Sequence, residues 1–201
     1  MNKKPFWKRI NRGFVVSMAL FVTVLLYVIV SQLTLIPEKS EIRKLTDKYR
    51  VLMEETSMLT DEEVEGFKIA GALEAEETRL KNELSKYFVK NSGYINDAAR
   101  LLIDNIEKQI DGFERVAKRD DAKKTQDDNT IDKNIANSTV TYTYTVSGKY
   151  MDFSNEKMEE VKGANQQLYI TISFKKVDGK WGIYRVSQAM WTGLSNDMWG
   201  R

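Results

Sequence analysis

The chain has 201 residues, 30% charged and 42% hydrophobic, a balance that fits a globular protein and excludes a disordered or wholly membrane-embedded one. It contains no Cys and no His, which excludes disulfides, zinc–thiolate sites, thiol nucleophiles and every Ser-His-Asp or Cys-His device. Acid–base chemistry would have to run on Asp, Glu, Lys or Tyr, so we expect no enzyme, no catalytic or metal-binding residue and no cofactor.

Residues 1–12, MNKKPFWKRINR, carry five basic side chains and no acid. Gly13 to Pro37 then holds no charge, and FVVSMALFVTVLLYVIV lies at its centre. About 20 apolar residues cross a bilayer core of roughly 30 Å. A cleaved signal peptide would have an apolar region of only about 7–15 residues and a small-residue cleavage site, and neither fits here. We read 13–36 as a single-pass anchor in the cell membrane. The basic stub then stays cytoplasmic and the rest lies outside the cell. Setting the stub's five basic residues aside leaves 26 basic against 29 acidic, a net of −3 for residues 13–201. The folded part shows no concentrated basic stripe, so no direct nucleic-acid binding is expected.

Residues 37–60 read as a stalk or first domain helix. Ile42, Leu45, Tyr49, Leu52, Thr56 and Leu59 recur at spacings of three and four. A convincing coiled-coil seam needs about three to four heptads, and this one is shorter, with Thr56 interrupting it. Packing on the protein's own domain is the first reading and a homo-oligomeric stalk the second. Thr60-Asp61-Glu62-Glu63 has a capping-box pattern that opens a second helix, which runs to about Lys90. Glu77 and Lys81 on it form an ordinary i,i+4 pair rather than catalytic machinery. A third helix carries Ile95, Ala99, Leu102, Ile103, Ile106, Ile110, Phe113 and Ala117 on one stripe, a core face.

Residues 118–137 read as a mixed-charge connector. Its acids lack the Gly and Glu of a calcium-binding loop. Asn137-Ser138-Thr139 matches a glycosylation sequon, which matters only in a eukaryotic source. In residues 139–146 Val and Tyr alternate with Thr, predicting a half-buried strand, and 168–174 repeats the pattern. A loop or short helix is expected over 154–165. Asp178-Gly179 turns the chain into a third strand.

The helices should cover the sheet face of Val140, Tyr142, Tyr144, Leu168, Ile170, Ile172 and Phe174. The other face holds Thr141, Thr143, Tyr169, Thr171 and Ser173. Two registers of the closing hairpin remain open. A two-residue turn puts Trp181 and Ile183 opposite Lys176 and Phe174, in the core. A bulge at Gly179 would instead turn Trp181 outward, beside Tyr169 or Arg185, and bring Tyr184 and Val186 inward. The tail 189–201 is rich in Trp and Met and either packs back on the domain or docks a partner. The candidate protein-interface residues are thus Tyr169, Trp181, Arg185, Trp191 and Trp199.

Three helices and then antiparallel strands closing on V-D-G-K-W-x-I resemble the cone-shaped nuclear-transport-factor-like fold. In bacterial exterior domains of that fold the closing hairpin often carries an element such as Gly179-Lys180-Trp181. With a basic stub and one anchor, the plan resembles the bitopic assembly-factor subunit of Gram-positive conjugative type IV secretion systems. The resemblance covers most of the chain in plan and residues 168–188 in local motif. It implies an α+β exterior domain over 61–188, its helices packed on one face of a curved antiparallel sheet. It also implies a non-enzymatic scaffold role, with the membrane and other envelope or secretion-complex proteins as partners. The family's sheet commonly has four or more strands, whereas three are legible here. A ligand-binding or sensory domain of the same fold, and a His-free hydrolase or isomerase, are the rival readings.

Overall fold

The computed structural model describes residues 12–117, 122–152 and 157–192. The chain divides into two units, residues 1–40 and residues 41–201. One helix, α1 (Arg12–Ser57), begins in the first and ends in the second, running through Pro37 without a break. The stretch read as a stalk or first domain helix, 37–60, is for the most part the C-terminal portion of α1.

In the first unit the apolar side chains lie bare, Phe21 at 64% and Tyr27 at 75% exposure. Three hydroxyls among them bond within the helix. Thr23 Oγ1 donates to the Ala19 carbonyl, Ser31 Oγ to Val28 and Thr34 Oγ1 to Ser31, each at 2.8 Å. By length and composition this stretch is able to cross a membrane.

The second unit is α+β. After α1 come α2 (Asp61–Phe67), α3 (Ala72–Leu84) and α4 (Ile95–Ile110). The capping box at Thr60 and Glu63 forms as expected. The single helix expected from 61 to 90 is two. It breaks after Phe67 and restarts beyond Gly71, whose φ of 84° lies in the left-handed region and interrupts the ladder. The third helix stops at Ile110, short of the expected Ala117. Gly112, at φ 101°, closes it in a Schellman motif, with the Phe113 amide donating to the Lys108 carbonyl and the Gly112 amide to that of Gln109.

Five strands follow: β1 (Val116–Ala117), β2 (Lys123–Asp132), β3 (Ile135–Asp152), β4 (Lys157–Val177) and β5 (Lys180–Thr192). Among the described residues these strands pair antiparallel, apart from an isolated parallel bridge between Phe88 and Ile183. The order is β1-β3-β4-β5, with β2 also paired to β3. The sheet is larger than the three predicted strands. Half of the expected connector 118–137 is β2, its residues 118–121 lying outside the described residues, and the expected loop over 154–165 is, from Lys157 on, part of β4. Both carry too few apolar residues to show the period of a strand; their pairing with β3 orders them. Residues 189–192 of the expected tail lie in β5, and 193–201 lie outside the described residues.

The expected core face is borne out. Val140, Tyr142, Tyr144, Leu168, Ile170, Ile172 and Phe174 are all buried, together with Leu102, Ile103 and Ile106 of α4 and Ile42, Tyr49 and Met53 of α1. The seam on α1 therefore packs on its own domain.

Candidate interaction surface

The β4–β5 hairpin decides which aromatic side chains face outward. Asp178 and Gly179 have φ of 51° and 78°, the two positive values of a type I′ turn. This tight turn sets Trp181 opposite Lys176 and Ile183 opposite Phe174. The first of the two open registers is the one found, and Trp181 is 5% exposed. Farther along β5, Tyr184 and Ser187 are extra residues at two bulges, so Val186 lies opposite Ile172 and Trp191 opposite Leu168. Each bulge reverses the parity of the strand. The first turns Val186 inward, and the second restores the original alternation so that Trp191 also points inward.

Of the five candidate interface residues, Trp181 and Trp191 thus belong to the core. Trp199 lies outside the described residues. Tyr169, half-buried, and Arg185, exposed, lie on the outer face, where Tyr169 pairs with exposed Met190 and Arg185 with Ser173. The Arg185 guanidinium lies 5.2 Å from the centre of the Tyr94 ring. Tyr94 in turn meets Tyr184 edge-on at 5.3 Å, and Lys175 sits 5.9 Å from the Tyr184 ring. The result is an outward cluster of stacked cations and aromatic rings. Tyr94 and Lys175 were missed in the sequence, because neither shares a strand period with Arg185.

Beneath this face α1 and the sheet are joined by a polar network that the sequence reading also missed. Asp47, Arg50, Glu54 and Ser57 follow one another at spacings of three, four and three along α1. Glu54, 1% exposed, accepts from both Arg50 and the Tyr144 hydroxyl. The Tyr142 hydroxyl donates to Asp47 at 2.6 Å. Burial and the hydrogen bond to Glu54 push the Tyr144 hydroxyl well above its usual pKa, as burial and Asp47 do for Tyr142. Burial works to lower the pKa of Arg50, but the Tyr144 hydroxyl and the Glu54 charge outweigh it and the guanidinium ends above its usual range.

Farther along, Trp191 Nε1 donates to Ser57 Oγ at 3.0 Å and its ring packs on Tyr144 at 5.0 Å. Arg115 lies 4.5 Å from the Trp191 ring centre and donates through Nε to Gln166 Oε1 at 2.8 Å. Burial pushes its pKa down to about 9, which leaves it a buried cation at neutral pH. The signal for the network was the second polar row beside the apolar seam, together with two inward tyrosines whose hydroxyls needed partners.

Clefts lined by described residues include two large ones. One, about 390 Å³, has Met58, Leu59, Phe67 and Ile106 as its apolar lining and Glu55, Glu76 and Arg79 as charged neighbours. The other, about 420 Å³, lies where Lys86, Lys90 and Lys180 meet Tyr87 and Trp181. Among the described residues, no group of three or more Asp or Glu is placed to hold a metal ion.

These elements define an α+β domain, helices against one face of an antiparallel sheet, following a long apolar helix. Neither the protein-family models nor the curated proteins give a match. Among solved structures, the chain is similar to an NTF2-like protein with a cystatin-like fold from Novosphingobium aromaticivorans, at 16% identity and a TM-score of 0.37, over 84% of this chain and 89% of that one. It is also similar to a SnoaL-like polyketide cyclase from Agrobacterium tumefaciens, at 13% identity and a TM-score of 0.29, over 60% and 84%. Both scores lie below 0.5, so the architecture rests on the elements and pairings above.

Proposed function

We propose that this chain is a non-enzymatic, membrane-anchored scaffold whose α+β domain binds other cell-envelope proteins, as a subunit of a Gram-positive conjugative type IV secretion channel. The observation that carries the scaffold reading is the occupied interior. Between α1 and the sheet, where a ligand would lie in a cone-shaped domain, Arg50, Glu54, Tyr144, Trp191, Arg115 and Gln166 hold one another. What the domain offers to a partner is its outer face, with Tyr169, Arg185 and Tyr184 among the residues presented. The anchor reading draws on the uncharged run 13–36 and its exposed apolar side chains. The assignment to a conjugation channel draws on the plan of basic stub, single span and closing Gly-Lys-Trp hairpin.

Affinity purification of the intact protein from membranes of its source cells tests this reading. Other transfer-apparatus subunits should co-purify, and deletion of the gene should lower conjugative transfer. Recovery of none, with transfer unaffected by the deletion, would overturn it.

The cleft beside Phe67 and Arg79 supports a second reading, a small-ligand sensor, since it combines an apolar lining with a few polar groups. A bound metabolite released on denaturing the purified protein would favour that reading.

A further inference from the structure

Two turns lie side by side at one end of the sheet. Ile135 pairs with Lys175 and Val177 with Lys180, and the Lys176 amide donates to the Asn134 carbonyl at 2.8 Å. The β2–β3 turn at Lys133-Asn134 therefore neighbours the β4–β5 turn at Asp178-Gly179. The segment 87–89 joins this end, with the Val89 amide donating to the Ile183 carbonyl at 2.8 Å.

Lysines gather here. Lys90, Lys133, Lys175 and Lys180 are exposed, and Lys176 sits between them. Acids also stand here, Asp132 and Asp178 at the two turns and Glu41 beside Trp181. Two large apolar side chains are exposed at the same end, Ile135 at 58% and Val177 at 41%. Lysines around exposed aliphatic side chains suit an anionic lipid surface. The amines meet headgroup phosphates and the apolar side chains enter the boundary with the acyl chains.

Glu41, the first residue of the second unit, lies at this end of the sheet. The Trp181 amide donates to Glu41 Oε1 at 3.4 Å, and Leu45 lines the same cleft as Lys90 and Lys180. Glu41 follows Ile36 by only five residues, a reach of at most about 18 Å. The opposite end of the sheet contacts α1 at Ser57, through Trp191 and Arg115.

We propose that the end of the sheet carrying Lys133, Lys175, Lys176 and Lys180 rests on anionic lipid headgroups of the membrane in which the apolar helix is anchored. The inference rests on the anchor reading, and its test separates the two. The full-length chain has no Cys, so a single Val177→Cys change gives a unique site for a spin label. Glu160→Cys, on an exposed residue far along β4, is the control. Each protein is reconstituted into vesicles of phosphatidylcholine alone or of phosphatidylcholine with phosphatidylglycerol. Resistance to alkaline extraction then establishes that the helix is inserted.

With phosphatidylglycerol present, a label at 177 should lose collisions with a water-soluble nickel chelate and gain collisions with oxygen. The label at 160 should stay in water. Changing Lys133, Lys175 and Lys180 to Gln together should return the 177 label to its values in phosphatidylcholine alone. An inserted protein whose 177 label ignores lipid charge overturns the lipid contact and leaves the anchor standing. So does a 177 label shielded only when other envelope proteins are added. Release by alkaline extraction overturns the anchor, and the lipid contact with it.

Discussion

The buried Arg50–Glu54–Tyr144 cluster gives the sharpest quantitative test of the filled interior. Changing Glu54 to Leu removes the one oxygen that accepts from both Arg50 and the Tyr144 hydroxyl. Arg50 keeps Asp47 at 3.7 Å and the Tyr142 ring at 5.1 Å but loses its close carboxylate, and Tyr144, 1% exposed, loses its acceptor with little access to water. Removing one partner of such a pair typically costs about 3–5 kcal/mol, because the other is left buried and uncompensated. For a domain of this size, that corresponds to a fall in Tm of roughly 6–20 °C. The triple change Arg50→Met, Glu54→Leu and Tyr144→Phe removes donors and acceptor together. It should lie within about 1–2 kcal/mol of the unmodified protein, since an apolar replacement of a whole network is near neutral. Thermal unfolding of the full-length protein in detergent, followed by near-ultraviolet circular dichroism, reads both. A single variant costing under about 1 kcal/mol would refute the reasoning, as would a triple variant no more stable than the single.

The remaining predictions concern the same packing. Tyr49, Tyr142 and Tyr144 have hydroxyls that burial holds above their usual pKa, so the folded state keeps protons that the unfolded state releases above about pH 10. Stability should therefore fall as pH rises through that value, and a titration followed by tyrosinate absorbance should show these tyrosines ionising only as the domain unfolds. A Cβ at Gly148 would meet the Glu114 carbonyl oxygen at 2.1 Å, so Gly148→Ala must push β1 off β3. It should destabilise by about 1–3 kcal/mol and speed exchange of the Glu114 amide, which donates to Lys149. Leu168→Ala, at a fully buried site, should cost about 2–5 kcal/mol in the same unfolding assay without altering oligomeric state.

The parts of the fold that were legible in the sequence are those with an unambiguous period. The stripe of α4, the alternation of Thr139–Val146 and Leu168–Phe174, the capping box and the Asp178-Gly179 turn all stand in the structure as expected. The elements that were missed have their conformation imposed from elsewhere. β2 reads KKTQDDNTID and becomes a strand because β3 offers it a partner. The break between α2 and α3 follows from a glycine that no hydrophobic period marks. For the interface residues the limit was register. Whether Trp181 and Trp191 face inward depends on the turn type and on two bulges in β5. Neither bulge has a residue signature, since Tyr184 and Ser187 suit an ordinary strand equally well.

The central claim is that this domain works through its outer face while its interior is closed by its own side chains. The most direct test places a photo-crosslinking residue at Tyr169 or Arg185, one position at a time, in the full-length protein in its source cells. Buried Tyr144 serves as the interior control. The account predicts discrete adducts with other envelope proteins from an outer-face position and none from 144. No protein adduct from either outer position, together with a small molecule captured from 144, would contradict it.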